Sequence, residues 1–238
     1  MLNNRKKRIK DRILPEQPKY ASCPIDGRIK EYYAGQFDEV YIVLHPFLNP
    51  IKLKNSDFLD SNFPTKQEIL NGMEPISWED VRQALGFQSL ADVDIALRTM
   101  IHGLNAKYKN EHLSRQLIDY LHAEDIWEPR DGVISEYVEN YIYHALVELG
   151  YEWVWLGDDL GTERKLYWIE DLFDEDKIPA NGCIFTPDYK VLVTAHWDSH
   201  CSFLCGSKEI IEKILQFSPL EGFYCTDKTE VYWGVYPQ

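Results

Sequence analysis

The spacing of the apolar residues changes near Gly150, and this change limits the folds that the chain can adopt. Before Gly150 apolar residues recur at three- and four-residue steps, for example from Leu90 to Leu104, which is typical of amphipathic helices. After Gly150 they alternate with other residues in Tyr151-Glu-Trp-Val-Trp155 and Lys165-Leu-Tyr-Trp-Ile169, as in strands. Helices and strands that are segregated in this way favour an α+β fold over the repeated strand-helix units of a parallel α/β fold.

Short motifs mark where the first helices begin and end. Thr65, Ser77 and Ser89 each precede an acidic residue at the third following position, which is the pattern of an N-terminal capping box. Gly72 and Gly86 follow the first two of these helices, where a left-handed residue commonly ends a helix. The sequence therefore predicts two short helices and a longer third one.

Two further helices and one isolated strand complete the prediction for the N-terminal half. The apolar spacing predicts helices over residues 113–126 and 134–149, the second ended by Gly150. Residues Phe37–His45 form an aromatic and β-branched run that ends at Pro46. Such a run predicts a buried strand.

The C-terminal half supplies the remaining strands. They are predicted at residues 151–155, 165–169, 182–186, 191–197, 222–226 and 231–234. Pro187–Lys190 has the residues of a hairpin turn, and residues 207–216 return to a helical pattern. The predicted fold is therefore α+β, with a helical N-terminal half packed on a mainly antiparallel C-terminal β-sheet and one late helix.

The chain is expected to form one domain behind a short tail. Residues 1–19, interrupted by Pro15 and Pro18, are predicted to be a basic, flexible N-terminal tail. Residues 20–238 are predicted to be a single α+β domain, provided that the strand near residue 40 joins the C-terminal sheet. A boundary near Gly150 is the alternative.

The cysteine pattern indicates a reducing compartment. The chain has five cysteines, an odd number spread along its length, which favours free thiols over a disulfide framework. No apolar stretch at the start resembles a secretion signal, and no aliphatic run approaches the roughly 20 residues of a membrane helix. We therefore expect a cytoplasmic protein with no membrane partner, which needs no structural cofactor for a core of this size.

The formal net charge of −14 is unevenly distributed. The first twelve residues carry +5, and the rest of the chain therefore carries −19. Because a body this acidic repels phosphate groups, nucleic-acid binding would depend on the basic arm alone. Nucleic acid is thus the least favoured partner.

The densest group of polar residues is His196-Trp-Asp-Ser-His-Cys201. On a straight strand, His196, Asp198 and His200 share one face, similar to the two-histidine, one-carboxylate set of some metal sites. Positions four residues apart lie about 13 Å apart on an extended strand, whereas a histidine nitrogen must come within about 2.1 Å of a zinc ion. The three residues therefore need a bend or a bulge to bind one divalent metal.

Two other local structures are compatible with this segment. A helix would bring His196 and His200 within one turn, as in zincins, but Val191–Thr194 favours a strand and Trp197 replaces the expected glutamate. A hairpin turn at Asp198-Ser199 would place Trp197 opposite His200. In the structural interpretation, the histidine and aspartate side chains hydrogen-bond to each other or to nearby backbone.

Other motifs of common enzyme classes are absent from the sequence. No glycine-rich dinucleotide or phosphate-binding loop and no Gly-x-Ser-x-Gly occurs. The cysteine spacing does not fit a structural zinc site, and Cys201 is more typical of a small core residue than of an activated nucleophile. The acidic clusters Asp158-Asp159 and Asp174–Asp176 lack the spaced ligands of a calcium loop. No catalytic residue is assigned.

Four segments carry a family resemblance: Cys23-Pro-Ile-Asp-Gly27, Phe37–Pro46, Trp197-Asp-Ser199 and Leu220–Glu230. Together they resemble a family of uncharacterised proteins from spore-forming Gram-positive bacteria. The resemblance implies a bacterial cytosolic protein. It carries over no catalytic residue, since that family has no assigned activity.

Two functions fit these observations. The first is a non-catalytic protein-interaction protein, such as an immunity-type protein that neutralises a partner protein, because an acidic surface rich in Tyr and Trp suits a basic partner. The alternative is a metal-dependent hydrolase in which His196, Asp198 and His200 hold a divalent metal that activates water. The sequence favours the interaction protein over an enzyme and leaves the oligomeric state open.

Overall fold

The computed structural model describes residues 23–53, 63–159 and 163–236. The predicted N-terminal tail, residues 1–19, lies outside the described residues. The helices are α1 (Ile29–Tyr32), α2 (Lys66–Gly72), α3 (Trp78–Leu85), α4 (Leu90–Met100), α5 (Glu111–Glu124), α6 (Glu136–Glu148), α7 (Ile169–Leu172) and α8 (Lys208–Phe217). None of these helices is long and apolar enough to cross a membrane.

The strands form one large sheet and one small ribbon. They are β1 (Glu39–Leu44), β2 (Phe47–Pro50), β3 (Met73–Ile76), β4 (Trp153–Gly157), β5 (Arg164–Trp168), β6 (Cys183–Phe185), β7 (Leu192–Ala195), β8 (Cys201–Gly206) and β9 (Gly222–Tyr224). Seven of them build an antiparallel sheet in the order β5-β4-β6-β7-β8-β1-β9, and β2 pairs with β3.

Strand β1 joins the N-terminal half of the chain to the C-terminal sheet. It pairs with β8 on one side and β9 on the other, so that Ile42 lies opposite both Phe203 and Phe223. Its β-branched and aromatic residues suit a strand that has neighbours on both sides. The mixture of helices with an antiparallel sheet confirms the predicted α+β fold.

Helices cover both faces of the sheet. Ile42 and Phe203 pack on one face against α3, α4 and α5. The next residues along, Val43 and Leu204, pack on the other face against α6 and α8. Because consecutive strand residues point to opposite faces, a strand between two helical layers must be apolar at every position. This explains the continuous apolar run of β1.

The predicted helix starts are confirmed, and one of the two predicted left-handed helix ends is wrong. The hydroxyl groups of Thr65 and Ser77 accept hydrogen bonds from the backbone three residues on, and α4 begins directly after Ser89. Gly86 ends α3 in the left-handed region with φ 66°, as predicted. Gly72 instead lies within α2, where an added Cβ would be 2.5 Å from Cγ of Leu53. This glycine permits close packing rather than a turn.

Two features of the β-structure differ from the prediction. Residues 231–234 form turns rather than a strand, since the N–H groups of Val235 and Tyr236 donate to the carbonyl of Tyr232. Strands β2 and β3 pair within a part of the chain that was predicted to be helical. Each contains a proline, Pro50 or Pro75, which weakens the sequence signal of a strand.

Candidate functional site

An open cavity of about 760 Å³ lies where β1 ends and β8 begins. Its lining comes from the residues after β1, the C-terminal end of α4, the helix α5 and the loop of residues 125–135 that leads into α6. Phe63 and His200 complete it. The volume falls within the range of small-molecule sites, roughly 300–1,000 Å³.

Most of the cavity wall is apolar. The rings of Phe63 and Trp127 lie 5.9 Å apart between centroids. The other apolar lining residues are Pro46, Leu48, Met100, Ile101, Ile118, Leu121, Ile126, Pro129 and Val133. The backbones of Leu48 and Trp127 exchange two hydrogen bonds of 2.9 and 2.8 Å, so the loop that carries Trp127 is fixed to β2.

Four residues form an inner polar group at the cavity: Arg130, Ser135, Glu136 and His200. Nη2 of Arg130 donates a hydrogen bond to Oε1 of Glu136, and the guanidinium lies over the ring of Phe63, 4.6 Å from its centroid. Burial raises the pKa of Glu136, and the positive charge of Arg130 opposes this rise. The arginine is therefore held between a carboxylate and an aromatic face.

A second ion pair is buried beside the first. Nζ of Lys66 donates to Oε2 of Glu139 at 2.6 Å and to the carbonyl of Leu172 at 2.9 Å. Both side chains are at most 4% exposed. Burial raises the pKa of Glu139 to about 7, against the opposing effect of Lys66, and the charge of Glu136 raises it further. This pair anchors α2 to α6.

His200 lines the cavity, and its backbone is hydrogen-bonded to that of His45. The N–H of His45 donates to the carbonyl of His200 at 3.0 Å, and Nε2 of His45 lies 2.7 Å from Oγ of Ser202. Nε1 of Trp78 donates to the carbonyl of His45 at 2.7 Å. Burial lowers the pKa of both histidines to about 3, so both rings are neutral near pH 7.

The structure places only one of the three predicted metal ligands at this cavity. His200 lines it, whereas His196 is buried with Nδ1 2.9 Å from Oγ of Ser199, and Asp198 is exposed. Asp198 adopts φ 50° in the turn between β7 and β8, which continues the pairing of Ala195 with Ser202. The predicted hairpin turn at Asp198-Ser199 is therefore present.

The described residues contain no cluster of side chains arranged as metal ligands. Across residues 23–53, 63–159 and 163–236, no group of three or more His, Cys, Asp or Glu side chains is positioned to hold a metal ion. Burial lowers the pKa of His196 to about 3, with Arg98 acting in the same direction. The metal site of His196, Asp198 and His200 stays a prediction.

The thiols are poorly suited to nucleophilic chemistry. None of the five cysteines forms a disulfide. Burial raises the pKa of Cys183 and of Cys201 to about 11 and that of Cys225 to about 12. Because the thiolate is the reactive form, these buried thiols are held in their unreactive state at neutral pH.

The hairpin turn positions the loop of residues 125–135. The N–H of Gly132 donates to the carbonyl of Ser199 at 3.1 Å, and the N–H of Asn181 donates to the carbonyl of Gly132 at 2.7 Å. Gly132 and Asn181 both have positive φ, 63° and 54°. Asp125, at the start of the loop, has φ 55°. For a residue other than glycine, such as Asn181 or Asp125, this conformation is sparsely populated and occurs often at functional sites.

The sequence prediction missed most of the residues at this cavity. Trp127, Arg130 and Glu136 were not singled out. One local signal was present, since Trp127-Glu-Pro-Arg130 places an aromatic and a cationic residue in a loop between two helices, where binding residues are common. The distant partners, Phe63 and His200, become neighbours only in the fold.

Comparisons with known proteins agree with the resemblance seen in the sequence. The chain is 20% identical over 208 residues to "Uncharacterized protein YwbB" of Bacillus subtilis (strain 168), covering 83% of this chain and 91% of that relative. No solved structure matches the chain. Residues 26–235 match the family described as "Protein of unknown function (DUF2711)". The chain therefore belongs to this family.

Proposed function

We propose that this protein is a cytosolic binding protein whose ligand occupies the cavity beside Trp127. The observation that carries the proposal is the cavity itself, about 760 Å³ in volume, with apolar walls and a small inner polar group. Binding sites for organic molecules usually combine a mostly apolar lining with a few placed polar groups. Five cysteines without a disulfide among them support a reducing compartment.

The protonation states near the cavity favour binding over catalysis. General acid-base catalysis is most efficient when the pKa of the group lies near the working pH. The pKa of His200, at about 3, is far below neutrality. Glu136 is held by Arg130, and Glu139, with a pKa of about 7, is buried against Lys66. These groups are arranged to stay in place rather than to exchange protons with a substrate.

Filling the cavity tests this proposal. Ile118 lines the cavity from α5, so the variant Ile118→Trp reduces its volume. Asp119 is exposed on the same helix, outside the lining, and Asp119→Trp is the matched control. Isothermal titration uses three indoles of similar size: tryptamine, tryptophol and indoleacetate.

We expect at least one of the three indoles to bind wild type and Asp119→Trp equally and Ile118→Trp at least tenfold more weakly. Circular dichroism and thermal unfolding check that each variant is folded. If none of the three binds wild type, or if Ile118→Trp binds as wild type does, the cavity is not the binding site that we propose.

A protein partner is the second candidate, and two exposed apolar side chains favour it. Ile25 is 87% exposed and Trp197 is 50% exposed, and the Cys23 thiol faces the backbone of Trp197. Nε1 of Trp197 donates to Oδ2 of Asp159 at 3.0 Å, which holds the ring at the surface. Half-exposed tryptophans are common in protein interfaces.

Co-purification from the cells that produce the protein tests the second candidate. A partner retained by wild type and by Ile118→Trp but lost with Trp197→Ser would support an interface at the hairpin turn. Recovery of the same proteins with wild type and Trp197→Ser would argue against it.

A further inference from the structure

The charged residues at the cavity are mainly acidic. The lining contains four carboxylates, Asp125, Glu128, Asp131 and Glu136, against the single guanidinium of Arg130. Arg130 pairs with Glu136. Glu128 and Asp131 are exposed, and we call these two the outer carboxylates. They carry negative charge in addition to the Arg130–Glu136 pair.

The partial positive charge at the N terminus of α6 opposes the negative charge of the outer carboxylates but is smaller. A helix N terminus carries roughly half a positive charge, and α6 begins at Glu136, directly behind the cavity. Half a unit of positive charge is small against the two outer carboxylates. The formal net charge of the chain, −14, adds to the negative potential. The electrostatic field at the cavity therefore favours a cation.

The wall of the cavity already accommodates one cation on an aromatic face. The guanidinium of Arg130 lies 4.6 Å from the centroid of Phe63, an arrangement in which the ring attracts the positive charge. Trp127 lines the same cavity, 5.9 Å from Phe63 between centroids. Among aromatic side chains, tryptophan attracts cations most strongly.

Two buried polar atoms of the inner group lack hydrogen-bond partners within the described residues. They are Nδ1 of His200 and Oγ of Ser135. His200 is 1% exposed, and both residues line the cavity. A neutral imidazole keeps one lone pair, and a serine oxygen accepts hydrogen bonds as well. Nδ1 of His200 donates or accepts according to the tautomer, and Oγ of Ser135 does both, so each atom has hydrogen-bonding capacity that no described residue uses.

We propose that the cavity binds an organic cation, a protonated amine or amidine carried on a flat apolar body. The apolar body packs against Trp127 and the aliphatic wall, and the cationic end faces the outer carboxylates. This inference rests on the proposed function, since it assigns the chemistry of the ligand at the same cavity.

The three indoles used above separate ligand charge from ligand shape. Tryptamine is a cation, tryptophol is neutral and indoleacetate is an anion, while the ring is the same in each. We expect tryptamine to bind wild type at least about threefold more tightly than tryptophol, and indoleacetate to bind most weakly. One exposed ion pair contributes about 0.2–1 kcal/mol, which corresponds to a change of up to about fivefold.

Neutral replacements of the outer carboxylates test the same inference within the protein. Asp131→Asn and Glu128→Gln are each expected to weaken tryptamine binding about two- to fivefold and to leave tryptophol binding unchanged. Asp119→Asn, an exposed acid outside the cavity, is the matched control and is expected to change neither. All three positions are on the surface, so folding should be preserved.

The outcomes separate this inference from the proposed function. If tryptophol or indoleacetate binds as tightly as tryptamine, and Ile118→Trp abolishes that binding, the binding site stands and the cation preference is overturned. If Asp131→Asn and Glu128→Gln bind tryptamine as wild type does, the outer carboxylates do not face the cationic group. If no indole binds, both proposals fail together.

Discussion

At the scale of single residues, the main feature is a set of three buried neutral histidines. His45, His196 and His200 are each at most 3% exposed, and burial lowers each pKa from 6.5 to about 3. Arg98 is close enough to His196 and His200 to lower their pKa values further. Between pH 3 and 6.5 the unfolded chain therefore binds more protons than the folded chain at these positions.

This difference makes the free energy of unfolding fall as the pH is lowered below about 6.5. Glu139 acts in the opposite direction between pH 4.5 and 7, because its raised pKa makes the folded chain bind the extra proton. A single variant isolates one histidine. We expect His200→Asn to reduce the slope of stability against pH by about one proton, roughly 1.4 kcal/mol per pH unit.

Urea unfolding at several pH values between about 4.5 and 6 measures this slope. This range lies between the pKa of a buried histidine in the folded chain and its pKa in the unfolded chain. The exposed His144 provides the control variant His144→Asn, which should keep the wild-type slope. If the free energy of unfolding depends on pH in the same way in His200→Asn and in wild type, the pKa of His200 is the same in the folded and the unfolded chain, which would contradict this prediction.

The ion pair of Lys66 and Glu139 leads to a second prediction. Lys66→Met removes the charge that lowers the pKa of Glu139, so Glu139 is protonated in the folded variant at pH 7 and loses its hydrogen-bond partner, and we expect a loss of about 1–3 kcal/mol. The loss should be smaller at pH 5, because Glu139 is then mostly protonated in wild type as well. Urea unfolding at both pH values provides the measurement.

The double variant Lys66→Met with Glu139→Gln is the internal control for this pair. It removes both charges and is expected to recover most of the stability lost in Lys66→Met. Additive losses in the double variant would mean that the two side chains contribute independently.

At the scale of elements, the turn between β7 and β8 fixes the candidate site. Its residue Asp198 has φ 50°, and an added Cβ on Gly103 would lie 3.0 Å from Cβ of Asp198. Ser199 in the same turn accepts the hydrogen bond from Gly132 of the cavity loop. A change of conformation at Asp198 therefore reaches the loop that carries Arg130.

Substitutions at Asp198 separate backbone conformation from side-chain chemistry. We expect Asp198→Val to cost about 1–3 kcal/mol, since a β-branched residue is disfavoured at positive φ. Asp198→Gly, which tolerates this conformation, should stay within about 1 kcal/mol of wild type. Thermal unfolding of both variants measures the difference. Equal stability of the two would mean that φ at this position is unimportant.

Local signals in the sequence were sufficient for several elements and insufficient for others. Thr65, Ser77 and Gly86 predict helix ends because their partners lie within four residues. The N terminus of α3 also receives the carboxylate of Glu221, bonded to the N–H of Trp78 at 2.6 Å from 143 residues away. No local pattern contains such a contact. The same holds for β2 and β3, which pair across the 22 residues between Pro50 and Met73 only after folding.

At the scale of the whole molecule, the fold was predictable and the cavity was not. The change of period near Gly150 predicted a helical layer and an antiparallel sheet, and the structure has both. The cavity combines residues from Pro46 to His200. The positions of these residues relative to one another are set by the docking of α4, α5 and the loop of residues 125–135. This docking depends on tertiary packing rather than on local spacing.

The alternative hypothesis, a metal-dependent hydrolase, predicts that the purified protein contains bound metal. Elemental analysis of protein purified without chelators should find near-stoichiometric zinc, iron or manganese if His196, Asp198 and His200 hold a metal. His196→Ala and His200→Ala should both lose it, whereas His144→Ala should retain it. Folded wild-type protein without metal would contradict this alternative.

The most direct test of the proposed binding site is a crystal structure of the wild-type protein grown with tryptamine. We predict that the indole lies in the cavity against Trp127 and that its ammonium group faces Asp131 or Glu128. Tryptamine bound only elsewhere on the surface, or a cavity closed by the protein's own side chains, would contradict the assignment of this cavity as a ligand site.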